Sequence, residues 1–215
     1  MALTKYRAKR DFDVTPEPGG SAKTKTSDTA RALTFVVQKH QASHLHYDFR
    51  LEWNGVLLSW AVPKGPSLDP SLKRLAMSVE DHPLEYGGFE GAIPEGEYGG
   101  GTVMVWDRGA WQPEQPDVDS SLQRGDLKFT LHGSKLKGSW VLVRTKALGK
   151  SSRASWLLIK HRDSFASRED IASAQPRSAL SKRLMAEIAA TSGGDIAKAA
   201  KADPVPAKRM AKSKI

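Results

Sequence analysis

The 215-residue chain has no cysteine, which excludes disulfides, a thiolate metal site and a thiol nucleophile together. It also lacks any apolar run approaching the roughly 20 residues that span a bilayer, so no membrane association is expected. The N-terminus, Met1-Ala-Leu-Thr-Lys-Tyr-Arg-Ala-Lys-Arg10, lacks the apolar core of a secretory signal, and a cytoplasmic location is the simplest expectation. Negative charge is in short supply: 33 Lys and Arg face 24 Asp and Glu, a net +9. Residues 176–215 hold nine of those cations against three carboxylates, and so carry +6 of the excess. Such a tail is either a solubilising appendage or a source of sequence-independent nucleic-acid affinity through counterion release.

What is present is mostly strand pattern. A chain of this length buries one good core with an appendage. Residues 1–31 lack periodicity and read as an N-terminal arm, extended but anchored by the aromatics of Tyr6-Arg-Ala-Lys-Arg10-Asp11-Phe12. Residues 32–175 supply about eight short strands: Leu33–His40, Leu45–Trp53, Val56–Val62, Arg74–Val79, Thr102–Asp107 with a brief strand around Trp111 after a turn at Arg108-Gly109, then Leu127–His132, Ser139–Thr145 and Trp156–His161. Asn54-Gly55 is a type I′ hairpin signal. Asp81–Glu97 reads as a long irregular segment, of the kind that lines a site, and Pro113–Gln123 as a polar connection with one helical turn. Short strands, regular turns and little helix predict a mainly β protein, a closed or nearly closed antiparallel barrel. Residues 176–191 read as a C-terminal helix, with Leu180, Leu184 and Ile188 on one stripe over Ser178–Ala190 and Ser178 as its cap. Residues 192–215 read as a disordered basic tail.

The most informative run is His40-Gln-Ala-Ser-His-Leu-His46-Tyr-Asp48-Phe-Arg50. From Leu45 onward, apolar and polar residues alternate strictly, so His46, Asp48 and Arg50 share one face of a strand, each roughly 6–7 Å from the next. His40 stands six residues before His46, across a short polar connection able to fold it alongside; His44 falls in that turn and is left outside the site. Two imidazoles and a carboxylate suit a divalent metal with open positions, and a guanidinium on the same face suits an anion lying on it. A single His-x-Asp pair on a strand is usually only a solvated face; here that face is crowded with ligating and anion-binding types. Glu80-Asp81-His82-Pro83-Leu84-Glu85-Tyr86 sets further groups at a strand end. His82 and Tyr86 suit hydrogen bonding to a phosphate there.

Taken together these segments resemble the 3′-phosphoesterase module of bacterial DNA ligase D over roughly residues 5–163. The resemblance rests on Arg10-Asp11-Phe12 with Thr15-Pro16-Glu17-Pro18, and on Val37-Gln-Lys-His40 through Glu52. It continues in Ser59-Trp-Ala-Val-Pro-Lys64-Gly65, Glu80-Asp81-His82-Pro83, Phe89-Glu-Gly-Ala-Ile-Pro-Glu-Gly96 and Trp106-Asp-Arg-Gly-Ala-Trp111. It implies a small β-barrel enzyme that trims DNA 3′ ends with manganese or another divalent transition metal. Such an enzyme removes a 3′-terminal ribonucleoside, then the 3′-phosphate, and leaves a 3′-hydroxyl. By the same resemblance, His40, His46 and Asp48 match the metal ligands, and Arg50, His82 and Tyr86 the phosphate-binding set. Arg10, Asp11 and Glu17 match residues of the ribonuclease step; Arg74, again a phosphate contact, Lys64 and Glu80 match supporting positions.

Expected partners are DNA or RNA–DNA 3′ ends in a duplex primer-template, with an end-joining ligase, a polymerase or a Ku-type protein nearby, on a monomer associated with the nucleoid. No ligase lysine motif or polymerase module is present, so the chain reads as a stand-alone phosphoesterase. The 2′-hydroxyl of a terminal ribonucleotide is either a recognition contact or the nucleophile. Two other readings stay open: a cupin-like non-haem Fe(II) oxygenase, with His132 or His161 as the distant ligand, and a non-catalytic DNA-end-binding module.

Overall fold

The computed structural model describes residues 3–20, 32–145 and 155–204. Nine strands follow in order: β1 (Leu33–Gln41), β2 (Leu45–Trp53), β3 (Val56–Val62), β4 (Arg74–Ser78), β5 (Gly91–Ile93), β6 (Gly101–Pro113), β7 (Asp126–Gly133), β8 (Lys137–Arg144) and β9 (Ser155–Lys160). All pairings are antiparallel, in the order β1-β2-β3-β4-β9-β8-β7-β6, and β6 returns to pair with β1. Eight strands therefore close a barrel, and β5 adds to the outer edge of β6. Closure leaves few unpaired strand edges to stick to another chain.

Alternation sorts the two faces. On β1 and β2, Phe35, Val37, Phe49 and Leu51 point inward to a cluster that includes Trp60, Trp106, Trp111, Phe129 and Trp140. Asn54 and Gly55 carry positive φ values of 47° and 78°, the geometry of the expected I′ turn, and they lock β2 against β3 from Trp53↔Val56 to Tyr47↔Val62.

One long strand, β6, replaces the two strands and turn expected around Arg108-Gly109. Its register against β1 jumps from Val37↔Asp107 to Gln38↔Val105, leaving Trp106 unopposed. This bulge flips the parity: Met104 and Trp106 face inward before it and Trp111 after it. A period-2 pattern interrupted by one residue looks like a strand end in the sequence. The segment Asp81–Glu97 is less irregular than expected, with a 3-10 turn at Leu84–Gly88 and the short β5.

Both termini depart from expectation. The arm is folded, not extended: α1 (Thr4–Arg7) buries Tyr6 completely against Val36, Leu57, Tyr86 and Val105, a second apolar cluster outside the barrel. Its return is held by Tyr6 Oη donating to Pro18 O at 2.6 Å. Residues 21–31 lie outside the described residues. Between the ends sit α2 (Val118–Arg124), capped by Asp117, and α3 (Ile171–Ala174).

The C-terminal helix begins later than expected, as α4 (Met185–Ser192), followed by α5 (Ile196–Ala200). Ser178 caps only a turn, accepting from Leu180 N and Ser181 N, and Lys182 at φ +65° breaks the path to a longer helix. Leu180 is accordingly solvent-exposed, whereas Ile188 is buried. Asp203 caps α4 from downstream, accepting from Met185 N and Ala186 N at 2.9 and 3.0 Å.

Residues 192–204, expected to be disordered, are packed: Ala199 and Ala202 join the barrel core, and the Lys39 ammonium donates to Ala202 O. Alanine packing gives no strong apolar stripe, so the sequence pattern hides it. Residues 205–215 of the expected tail lie outside the described residues. No helix among the described residues is long and apolar enough to cross a membrane.

The barrel depends on its aromatic filling. Phe49, fully buried against Phe35, Trp60 and Phe129, is expected to cost about 3–5 kcal/mol when cut to alanine. Urea unfolding monitored by tryptophan fluorescence measures this, and a loss under about 1 kcal/mol contradicts the packing described.

Candidate metal and phosphate site

The site lies on the outer wall of the barrel. The β1–β2 register pairs Val36 with Arg50, Gln38 with Asp48 and His40 with His46, three rungs on one face. Ser59 and Ala61 of β3 stand opposite Arg50 and Asp48, and their small side chains leave space above the carboxylate. The result is a cavity of about 440 Å³ lined by His40, His46, Asp48, Arg50, His82 and Tyr86, with Arg10, Glu80 and Tyr98 at its walls.

Ligand atoms of His40, His46 and Asp48 all lie within 4.8 Å of one another. Asp48 Oδ2 is 3.6 Å from His40 Nδ1 and 3.7 Å from His46 Nε2. Two bonds of about 2.1 Å meeting at 90–120° separate their donor atoms by roughly 3.0–3.6 Å, so the two His–Asp separations match one ion, around which donor atoms up to 4.8 Å apart would draw together. Each imidazole is held with its free nitrogen inward: His40 Nε2 donates to Gly99 O at 2.8 Å and His46 Nδ1 to His44 O at 3.0 Å. Outer hydrogen bonds of this kind fix the tautomer a metal ligand needs. His44 thus contributes a carbonyl from the turn, not its ring.

Charge states follow from the surroundings. Burial alone would raise the Asp48 carboxyl, but the Arg50 guanidinium, 3.2 Å away, with His40 and His46, outweighs it and holds Asp48 below the usual carboxylate range. Burial lowers His46, with His40 adding to the effect against the pull of Asp48, which keeps a neutral, ligating ring.

Arg50 is buried and extensively braced. Its Nε donates to Gln38 Oε1 and its Nη1 to Ser59 Oγ, both at 2.8 Å. Gln38 is in turn oriented by donating to Tyr86 O and Phe89 O. Gln38, Ser59 and Asp48 take N–H groups of Nε, Nη1 and Nη2, and His82 Nδ1 lies 2.9 Å from Nη1, which leaves an Nη2 N–H for an incoming anion. The Tyr86 ring lies under the guanidinium at 5.0 Å, and burial raises its phenol well above the ordinary value.

His82 sits between two guanidiniums. Its Nδ1 is 2.8 Å from Glu80 O and 2.9 Å from Arg50 Nη1, and its Nε2 is 3.3 Å from Arg10 Nη2. Burial, then Arg50 and Arg10, pushes its pKa well below the ordinary histidine value, so the ring is neutral. Nδ1 thus faces both an acceptor, Glu80 O, and a donor, Arg50 Nη1, while Nε2 stands within reach of the Arg10 donor.

Arg10 and Glu17 reach the site through the folded arm. Arg10 Nε donates to Glu17 Oε1 at 2.9 Å, its guanidinium covers the Tyr6 ring at 3.9 Å, and Thr15 Oγ1 donates to the other Glu17 oxygen. Glu80 is paired with Lys9 at 2.9 Å and lies 3.6 Å from Arg10.

Three expected residues are elsewhere. Asp11 is exposed on the arm, where its carboxylate accepts from Asp13 N and shapes a turn. Lys64 and Arg74 line a different cavity, of about 430 Å³, with Lys39, Tyr47, Asp170 and Asp203. The odd-numbered face of β1 that carries Lys39 turns inward, so this second cavity is at a barrel mouth, and Leu45 and Pro63 form a wall common to it and the first cavity. His132 is exposed and His161 bonds Ser139, and neither joins the metal-competent cluster, which removes the distant ligand of the oxygenase reading.

Sequence reasoning missed Gln38, Ser59, Lys9 and Tyr98. Gln38 was readable, since it shares the parity of His40 on β1; Ser59 needed the β2–β3 register.

A family model described as the DNA Ligase D 3′-phosphoesterase domain matches residues 38–144. The chain is 53% identical over 186 residues to the multifunctional non-homologous end joining protein LigD of Pseudomonas aeruginosa, covering 85% of this chain and 22% of that protein. It is 50% identical over 143 residues to the LigD non-homologous end joining DNA repair protein of Mycobacterium tuberculosis, covering 66% and 18%. With the LigD protein of Mycolicibacterium smegmatis it shares 43% over 166 residues, covering 75% and 21%. The chain thus spans about a fifth of the length of the curated relatives it matches.

Replacing Gln38 by leucine leaves the buried Arg50 Nε and two backbone carbonyls without their partner, and is expected to cost about 1–3 kcal/mol. Thermal or urea unfolding of Gln38→Leu reads this directly; a change within about 0.5 kcal/mol would show that Arg50 is not braced as described.

Proposed function

Because the chain belongs to the DNA ligase D 3′-phosphoesterase domain family, we propose that it is a metal-dependent hydrolase of DNA 3′ ends. On this reading it removes a 3′-terminal ribonucleoside by phosphodiester cleavage and then the remaining 3′-phosphate, leaving a 3′-hydroxyl. The observation that carries the proposal is the convergence of three metal-competent donors and the braced Arg50 on a single outer-wall cavity. The relatives are named as non-homologous end joining proteins, so ends awaiting ligation are the natural substrates, in a primer-template duplex. A ligase, a polymerase or a Ku-type protein would then be the working partners of a monomeric enzyme.

His40, His46 and Asp48 would hold the ion, with Mn²⁺ as the favoured metal. Bound there, it supplies Lewis-acid withdrawal of charge from a phosphate oxygen. The protein does the rest. Arg50 presents its remaining Nη2 N–H and its charge to the non-bridging oxygens, where negative charge grows in the transition state. Its orientation is set before substrate arrives, so little reorganisation is needed.

His82 is neutral in the free site, and an incoming phosphate adds negative charge that raises its proton affinity. It lines the cavity beside Arg50, where its ring would meet a bound phosphate. The rings of Tyr86 and Tyr6 bound the ring of His82 at 4.7 and 5.0 Å and fix its plane. Arg10, positioned by Glu17, adds a second guanidinium beside His82. The 2′-hydroxyl of a terminal ribonucleotide enters beside these groups as a recognition contact or as the nucleophile.

The test is digestion of a labelled primer-template ending in one ribonucleotide. With Mn²⁺, the wild-type chain is expected to yield a 3′-phosphate and then a 3′-hydroxyl product; EDTA or Asp48→Ala abolishes both. Full cleavage by Asp48→Ala at limiting metal, or persistent cleavage in EDTA, would overturn the proposal.

A further inference from the structure

At the rim of the cavity an exposed aromatic residue stands beside buried ones. Tyr86, on the floor, is 2% exposed, while Tyr98, on the wall, is 42% exposed. Tyr98 thus presents an amphipathic aromatic surface, open to a ligand, at the mouth of a charged cavity.

The loop that carries Tyr98 is firmly placed. Gly100 N donates to Glu97 O at 2.9 Å, and Gly96 and Gly99 adopt φ of +94° and +82°, values that favour glycine. The next residue, Gly99, offers the carbonyl that orients His40. Tyr98 is therefore one residue from a contact that holds a proposed metal ligand.

The ring is also pinned from the arm. Lys9 Nζ donates to Tyr98 Oη at 3.1 Å and lies 4.4 Å from the ring centre; the Arg10 guanidinium lies at 5.5 Å. Two cations thus lie over the ring and set positive charge beside it, where a polyanion is attracted.

We infer that Tyr98 is the stacking platform for the nucleobase of the 3′-terminal nucleotide. This inference rests on the proposed 3′-end activity and adds to it the determinant that seats the terminal nucleoside. Stacking is indifferent to base identity, because every base has a π face, which suits an enzyme that must accept any 3′ end. Tyr98 is a positioning residue: it touches the base and sets where the phosphate falls relative to Arg50.

A primer-template carrying 2-aminopurine riboside as its 3′-terminal nucleotide tests this in EDTA, where binding proceeds without turnover. Wild type and Tyr98→Phe are expected to quench the 2-aminopurine fluorescence on binding, and Tyr98→Leu to bind without that quench. In Mn²⁺, Tyr98→Leu is expected to raise KM by about 5- to 150-fold, with the effect falling on KM and not kcat. Quenching by Tyr98→Leu equal to wild type overturns the inference. So does a Tyr98→Phe variant that behaves like leucine, since the bond from Lys9 would then be what matters. Loss of end cleavage by the wild-type chain would instead overturn the functional reading itself.

Discussion

The pairing of β1 with β2 is the constraint on which the rest of the structure depends. In this register the outward rungs are Val36–Arg50, Gln38–Asp48 and His40–His46, and the inward rungs are Phe35–Leu51, Val37–Phe49 and Lys39–Tyr47. A slip of one residue would turn every one of these side chains to the other face. The barrel core would then receive charges and the outer wall would receive phenylalanine. The apolar inward rungs are what prevent the slip, so the energy of the core enforces the geometry of the site. The Asn54-Gly55 turn fixes the next pairing and brings Ser59 and Ala61 beside the same rungs.

Holding so many charges against a protein wall is costly, and the folded arm and its contacts offset that cost. Asp48, Arg50, Glu17 and the side chain of Arg10 are nearly inaccessible to water. A buried charge left without a partner would destabilise the fold strongly. Here Asp48 faces Arg50, Arg10 faces Glu17, and Gln38, Ser59 and Thr15 add further bonds to these groups. Tyr6 anchors this arrangement by inserting its ring among Val36, Leu57 and Tyr86. Such a network is rigid because breaking one bond exposes another group unpaired, and rigidity is what an electrostatic site requires of its donors.

Much of this was legible where a short-range pattern carried it. Strict alternation over Leu45–Trp53 is enough to set His46, Asp48 and Arg50 on one face, and the Asn-Gly pair to turn the chain after them. Eight strands with regular turns foretell a closed barrel. The parity change at Trp106 was not legible, because a bulge mimics a strand end. Nor was the packing of residues 192–204, which uses alanines without a stripe. Arg10 and Glu17 came only from resemblance, since nothing local tells that a polar arm folds back over 70 residues of sequence to meet His82. Lys64 and Arg74 also came only from resemblance, and they line the cavity that adjoins the first across Leu45 and Pro63.

The central claim is that one ion and one phosphate share the outer-wall cavity. Anomalous diffraction from crystals soaked in Mn²⁺ and inorganic phosphate tests it most directly. The account predicts a manganese peak among His40 Nδ1, His46 Nε2 and Asp48 Oδ2, with phosphate density between it and the Arg50 guanidinium. A peak centred on other residues, or phosphate held only at the barrel mouth by Lys64 and Arg74, would contradict it.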